Sequence, residues 1–169
     1  INGKPNLEHI LEECIEAGIK QFIFIISKKK ENIKKYFFND DFYKSILKKK
    51  KDKRIEEVFK KLKKYQKMIK FVYQNKPKGT GHAIFLCKNY IKASHFLILF
   101  PDDLIIKKNC TKEMIALHKK TKSSIIATKT VNKKDVSRYG ILSIKNKKKN
   151  YFQIKDVIEK PIQKYAPSN

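Results

Sequence analysis

Arginine is almost missing from this chain of 169 residues: Arg54 and Arg138 are the only two. Base readers and phosphate clamps favour arginine, whose planar fork binds bidentately, so its scarcity argues against a nucleic-acid partner. Cysteine is also sparse. Cys14, Cys87 and Cys110 are odd in number and widely separated, and His9, His82, His95 and His118 are scattered. No zinc site is expected from that spacing, and a reduced, cytoplasmic setting fits. Uninterrupted apolar runs stay short, as in Phe22 to Ile26 and Phe96 to Phe100. A helical membrane span needs roughly 20 such residues, so a soluble chain with no membrane partner is expected. Glu8, Glu12 and Glu13 stand where a signal peptide would carry its apolar stretch. There is no internal repeat, no G-K-[ST] phosphate loop and no Ser-His-Asp or Cys-His arrangement.

What the chain has in excess is lysine. Lys plus Arg number 41 against 16 Asp plus Glu, a net charge of +25. Such a field draws any polyanion. The same bias, with Ile, Asn, Phe and Tyr high and no Trp, is explained more simply by AT-rich codons. Hydrophobic residues at 41%, including 8 Tyr and 11 Phe, suffice for a core. At 20.0 kDa, residues 1–169 are expected to form a single partial domain.

Periodicity then orders the chain. Leu7, Ile10, Leu11, Cys14 and Ile15 make one helical stripe, with Pro5 at its start and Gly18 at its end. Residues 21–27 and 95–100 read as buried strands of a parallel sheet, and 68–74 and 123–131 as further strands. Helices are expected over 28–38, 81–90 and 111–120. A lysine-rich helical insert occupies about 41–67, with Ile55, Val58, Phe59, Leu62 and Tyr65 on its packed face and Lys48 to Lys51 solvated. Strands over 139–144 and 151–159 flank a turn at 145–150. The fold class is α/β, an αβα sandwich around a mixed, mostly parallel sheet. Because the chain starts with Ile and a helix leads into a buried strand, an earlier strand is expected to be missing.

Ligands of such sheets bind outside the carboxyl ends of the strands. Asp102 and Asp103 follow the 95–100 run, where two carboxylates can hold a hard divalent cation, or merely form a solvated Pro-Asp turn. Gln74 ends a strand and leads into the loop containing Gly79 and Gly81. Its amide can complement the N3–H and carbonyl of a pyrimidine, and glycines let backbone approach a ligand; the loop also reads as an ordinary strand-to-helix connection. His82 is expected to pack or cap. Glu159 and Lys160, adjacent in a strand, should point to opposite faces and not pair; they are a sugar-and-phosphate pair or plain surface charge. Gly140, opening a strand, either offers a backbone N–H or marks a bulge.

Taken in order, these segments resemble the nucleotide-sugar nucleotidyltransferases, and within them the bacterial uridylyltransferase branch. The matching text is GKPNLEHILEECIEAGIKQFIFIIS from Gly3, KGTGHAIFLC from Lys78, LFPDDLI from Leu99, RYGIL from Arg138, and VIEKP with the terminal APSN from Val157. The resemblance implies a Rossmann-like nucleotide-diphospho-sugar transferase fold. It implies UTP and glucose 1-phosphate as substrates, UDP-glucose and pyrophosphate as products, and Mg²⁺ as cofactor. Carried over by position, Gln74 and Gly79 would bind the uracil, and Asp102 the metal with Asp103 in support. Gly140 and Glu159 would bind glucose hydroxyls, and Lys160 would neutralise the sugar phosphate, giving Asp102 and Lys160 the catalytic roles. A homo-oligomer is implied at full length. The family's Gly-rich signature loop and its C-terminal part are not found here, so the chain reads as a fragment. A thymidylyl relative, a basic polyanion-binding module and an inactive remnant stay open as alternatives.

Overall fold

The computed structural model of the chain describes residues 4–105, 107–148 and 151–169. Gly3, at the head of the first matching segment, and Asn150, at the end of the expected turn, lie outside the described residues. The chain divides into two compact units, Ile1–Ala116 and Leu117–Asn169.

The first unit opens with α1 (Asn6–Glu16), which buries Ile10, Leu11 and Cys14. It stops where the sequence says it should. Gly18 takes φ +91°, and the Gly18 and Ile19 amides donate to the Ile15 and Cys14 carbonyls at 2.9 and 3.0 Å. That reverse turn satisfies the last carbonyls and needs a residue free of the left-handed penalty. β1 (Phe22–Ile26) follows and pairs in parallel with β2 (Ile69–Tyr73), Phe22 opposite Ile69 and Ile26 opposite Tyr73. A parallel pair needs a crossover, here made of α2 (Glu31–Phe38), α3 (Asp40–Lys49) and α4 (Lys53–Gln66). The lysine-rich stretch is therefore structural. Leu62 and Tyr65 of α4 close the core with Leu11, Phe37 and Ile69. Asp52 caps α4 by accepting from the Arg54 amide at 2.9 Å, while Val58, expected on the packed face, is 44% exposed.

A polar knot joins α4 to α1 and α2. Buried Glu8 accepts from the Tyr36 hydroxyl and meets Lys61 Nζ at 3.1 Å. Lys61 also pairs with Glu12, which accepts from Lys4 at 3.0 Å and from the Tyr65 hydroxyl at 3.1 Å. Burial alone would raise the Glu12 carboxyl, but these lysine contacts hold it below its ordinary value. Burial likewise opposes the charge on Lys61, yet the glutamates hold its ammonium well above the ordinary lysine range.

α5 (Thr80–Leu86) and α6 (Cys110–Thr121) complete the helices. Asn109 starts α6 by accepting from the Lys112 amide at 2.8 Å, while its own amide donates to the Glu13 carbonyl at 3.0 Å. The second unit is built on β3 (Gly140–Lys147) and β4 (Phe152–Glu159), an antiparallel pair with a bulge near Ile144. Helices with parallel and antiparallel strand pairs give the α/β class expected.

Two expected strands are not formed. Residues 95–100 and 123–131 carry no ladder pairing among the described residues. Phe96 is 58% exposed and Ile126 is 58% exposed. An apolar run becomes a strand only where a neighbour pairs its amides and carbonyls, and no described strand pairs with either run. Among the described residues, no helix is long and apolar enough to cross a membrane.

Candidate active site

The first unit carries Gln74, Gly79 and Asp102, and the second carries Gly140, Glu159 and Lys160. Gln74 extends the parallel ladder by one step, its amide donating to the Ile26 carbonyl at 2.9 Å. This fixes its backbone at the carboxyl end of β2. The side chain then folds over the loop that follows. Its Nε2 donates to the Gly79 carbonyl at 3.1 Å and lies 3.0 Å from His82 Nδ1. Gly79 caps α5 with φ 86° and ψ 175°, a conformation open in practice to glycine alone. Nothing crowds the place where a Cβ would sit, so backbone geometry rather than space demands the glycine. His82 was expected to pack or cap. It is half-buried and faces the Gln74 amide, because one turn of helix after a tight loop returns it to the strand end.

Asp102 and Asp103 were expected at the end of a strand. They sit instead in an exposed turn after the unpaired 95–100 segment, closed by the Asp103 amide donating to the Phe100 carbonyl at 3.2 Å. Among the described residues, no three His, Cys, Asp or Glu side chains gather to hold a metal ion. Asp102 with Asp103 is thus a donor set of oxygen only. It suits Mg²⁺, which takes one or two carboxylates and completes its shell with water and phosphate oxygens.

In the second unit, strand pairing puts Gly140 directly opposite Glu159. A Cβ on Gly140 would lie 3.1 Å from Glu159 Oε2, so the missing side chain makes room for that carboxylate. Lys160 overturns one expectation. Its φ of 47° turns it out of the strand, its amide donating to the Tyr139 carbonyl at 3.0 Å. The left-handed step removes the alternation that would send neighbours to opposite faces. Lys160 Nζ accordingly pairs with Glu159 Oε1 at 3.6 Å, both side chains well exposed. An open cleft of about 590 Å³ beside Tyr139 is lined by Lys129, Asn132, Lys133, Asp135 and Asn169. Apart from Asn169, its whole lining falls within residues 129–139.

The family model for nucleotidyl transferases matches residues 1–169. The chain is 32% identical over its whole length to a UTP–glucose-1-phosphate uridylyltransferase of Bacillus subtilis, of which it covers 58%. It is 33% identical over 99% of its length to a putative enzyme of the same name from Methanocaldococcus jannaschii, again covering 58%. Among solved structures, the UTP-bound UGPase of Acinetobacter baumannii superposes with a TM-score of 0.80 at 25% identity, over 98% of this chain and 60% of that one. A UDP-glucose pyrophosphorylase solved with UDP-glucose gives 0.78 at 30% identity, over 98% and 60%. This chain therefore spans well under two thirds of these relatives, and it belongs to the nucleotidyl transferase family.

Proposed function

We propose that the protein carrying this chain is a UTP–glucose-1-phosphate uridylyltransferase. The observation that carries the reading is the Gln74–Gly79 closure at the carboxyl end of β2, in a chain whose relatives bear that activity in their names. Gln74 and the Gly79 backbone meet the uracil. Thymine offers the same N3–H, so the choice of uridine over thymidine rests on the relatives.

In the reaction, a phosphate oxygen of glucose 1-phosphate forms a bond to the α-phosphorus of UTP. The bridging oxygen between the α- and β-phosphorus leaves with the bonding pair as pyrophosphate. The attacking group is already an anion, so no general base is required. The work left to the protein is alignment and charge neutralisation. Asp102, supported by Asp103, would hold Mg²⁺, which when bound neutralises the nucleotide phosphates. Gly140 and Glu159 take the glucose hydroxyls. The Lys160 ammonium exchanges its exposed carboxylate partner for the sugar phosphate, a swap made easy because such pairs are worth little in water. The enzyme is read as cytoplasmic and homo-oligomeric, without a membrane or nucleic-acid partner.

The test is a coupled assay on the full gene product with UTP, glucose 1-phosphate and Mg²⁺. UDP-glucose and pyrophosphate should form in equal amounts, and Asp102→Asn should slow their formation about 100-fold. No UDP-glucose from a folded, full-length protein would refute the assignment.

A further inference from the structure

We propose that Lys28, Lys29, Lys30, Lys76 and Lys78 form a positive collar at the carboxyl end of β1 and β2 that steers the nucleoside triphosphate into its site and so sets its rate of arrival. This rests on the reading that Gln74 meets the nucleobase. β1 and β2 are parallel neighbours, so the loops that leave them open on the same edge of the sheet. The Gln74 amide, donating to the Ile26 carbonyl at 2.9 Å, ties the starts of the two loops together. Lys28, Lys29 and Lys30 follow Ser27 in the first loop, and Lys76 and Lys78 lie between Gln74 and Gly79 in the second. All five side chains are exposed. Among the described residues, none of them enters an ion pair. Residues 27–30 contain no Asp or Glu, and neither does the whole stretch 74–101. The next carboxylates, Asp102 and Asp103, are those read as holding Mg²⁺.

Codon bias accounts for how many lysines the chain has, but not for where lysines and carboxylates fall. The segments entering the amino ends of β1 and β2 carry only Lys20 and Lys67. α1, which runs into β1 through the Gly18 turn, holds Glu12, Glu13 and Glu16 in its second half. The first unit is thus polarised along its strands, with the positive end where Gln74 stands. UTP remains an anion even with Mg²⁺ bound, so that polarity draws it to the correct edge. Steering needs no contact: the summed field acts over a screening length of about 10 Å at 0.1 M salt. Lysine suits the task, being a strongly hydrated point charge on a flexible stem that attracts without the geometric grip of arginine. Charges at the rim of a site act chiefly on association and its salt dependence rather than on dissociation.

The experiment is stopped-flow association of UTP with Mg²⁺ on the full gene product across ionic strength. One variant combines Lys28→Gln, Lys29→Gln, Lys30→Gln, Lys76→Gln and Lys78→Gln. A charge-matched control combines Lys20→Gln and Lys67→Gln with Lys145→Gln, Lys147→Gln and Lys148→Gln, the last three at the end of the β3–β4 hairpin away from Gly140. At low salt the first variant should associate about tenfold more slowly than wild type, with dissociation little changed, and the gap should close as salt rises. The control should stay near the wild-type rate. Uridine, which has no charge to steer, should show no difference among the three. Equal slowing in both variants would make net charge alone the cause, and no slowing in the first would leave its lysines idle; either result overturns the proposal. Faster dissociation at an unchanged association rate would make the lysines contacts rather than a steering field, and would overturn it as well. If the fivefold variant does not fold, the substitutions in each loop are measured separately, and each set should slow association while their product reaches the same tenfold. A wild-type protein that binds no UTP removes the reading of Gln74 and this inference together. UTP binding lost in Gln74→Ala but indifferent to the five lysines removes this inference alone.

Discussion

The helix α4 and the segment 95–100 invert what their compositions suggest. KRIEEVFKKLKKYQ is among the most highly charged stretches of the chain, yet it buries Leu62 and Tyr65 in the core and binds the buried Glu8 through Lys61. HFLILF is wholly apolar after its first residue, yet Phe96, Ile98, Leu99 and Phe100 are all more than 40% exposed. A helix satisfies its own backbone, so one apolar stripe at the right spacing is enough to seat it. A strand depends on its neighbours for all of its backbone hydrogen bonds, and apolar character cannot supply one. Partner supply decides burial here more than hydrophobicity does.

Leu62→Ala should break the comparison most severely. Leu62 is 2% exposed, so its truncation leaves a cavity costing about 2–5 kcal/mol, read as a lower urea midpoint. Lys61→Met should come next, at about 1–3 kcal/mol, because it leaves the buried Glu8 carboxylate without its cation and Glu12 with Lys4 alone. The same variant sharpens the account through pH. Glu12 is depressed in the folded state, so its contribution is complete above the ordinary glutamate value of 4.5 and disappears as pH falls through the lowered one. Lys61 is raised, so its contribution is complete below the ordinary 10.5 and is lost as pH climbs beyond it. Urea midpoints should therefore decline at both extremes, and Lys61→Met should flatten both declines. Gly18→Ala, at φ +91°, should cost about 1–2 kcal/mol through the left-handed penalty alone. Phe96→Ser in this chain should shift the midpoint least, by about 0.5 kcal/mol or less, as for exposed positions generally.

These contrasts also explain what was legible beforehand. The α1 stripe, the Gly18 stop, β1, β2 and the helical insert rest on local spacing and turn chemistry, and they form close to where they were read. The strands at 95–100 and 123–131 depended on partners that local sequence does not specify. Lys160 adopts a left-handed backbone without being glycine or asparagine, so its pairing with Glu159 had no marker. For the candidate site, Gln74 and Gly79 were readable as a strand end and a loop glycine, and Gly140 and Glu159 as members of two successive strands. The closure of Gln74 on His82 spans a tight loop whose path the sequence leaves open. The second-unit cleft beside Tyr139 sets Asn169 against the stretch 129–139, a pairing with no local signal.

The measurement that bears most directly on the function is calorimetric titration of UTP with Mg²⁺ into the full gene product and its Gln74→Ala variant, at low and high salt, beside random-sequence nucleic acid. The account predicts saturable UTP binding that depends on Gln74 and persists at high salt. Tight nucleic-acid binding that collapses as salt rises, with UTP binding absent or indifferent to Gln74, would contradict it and make the charge of +25 the operative feature.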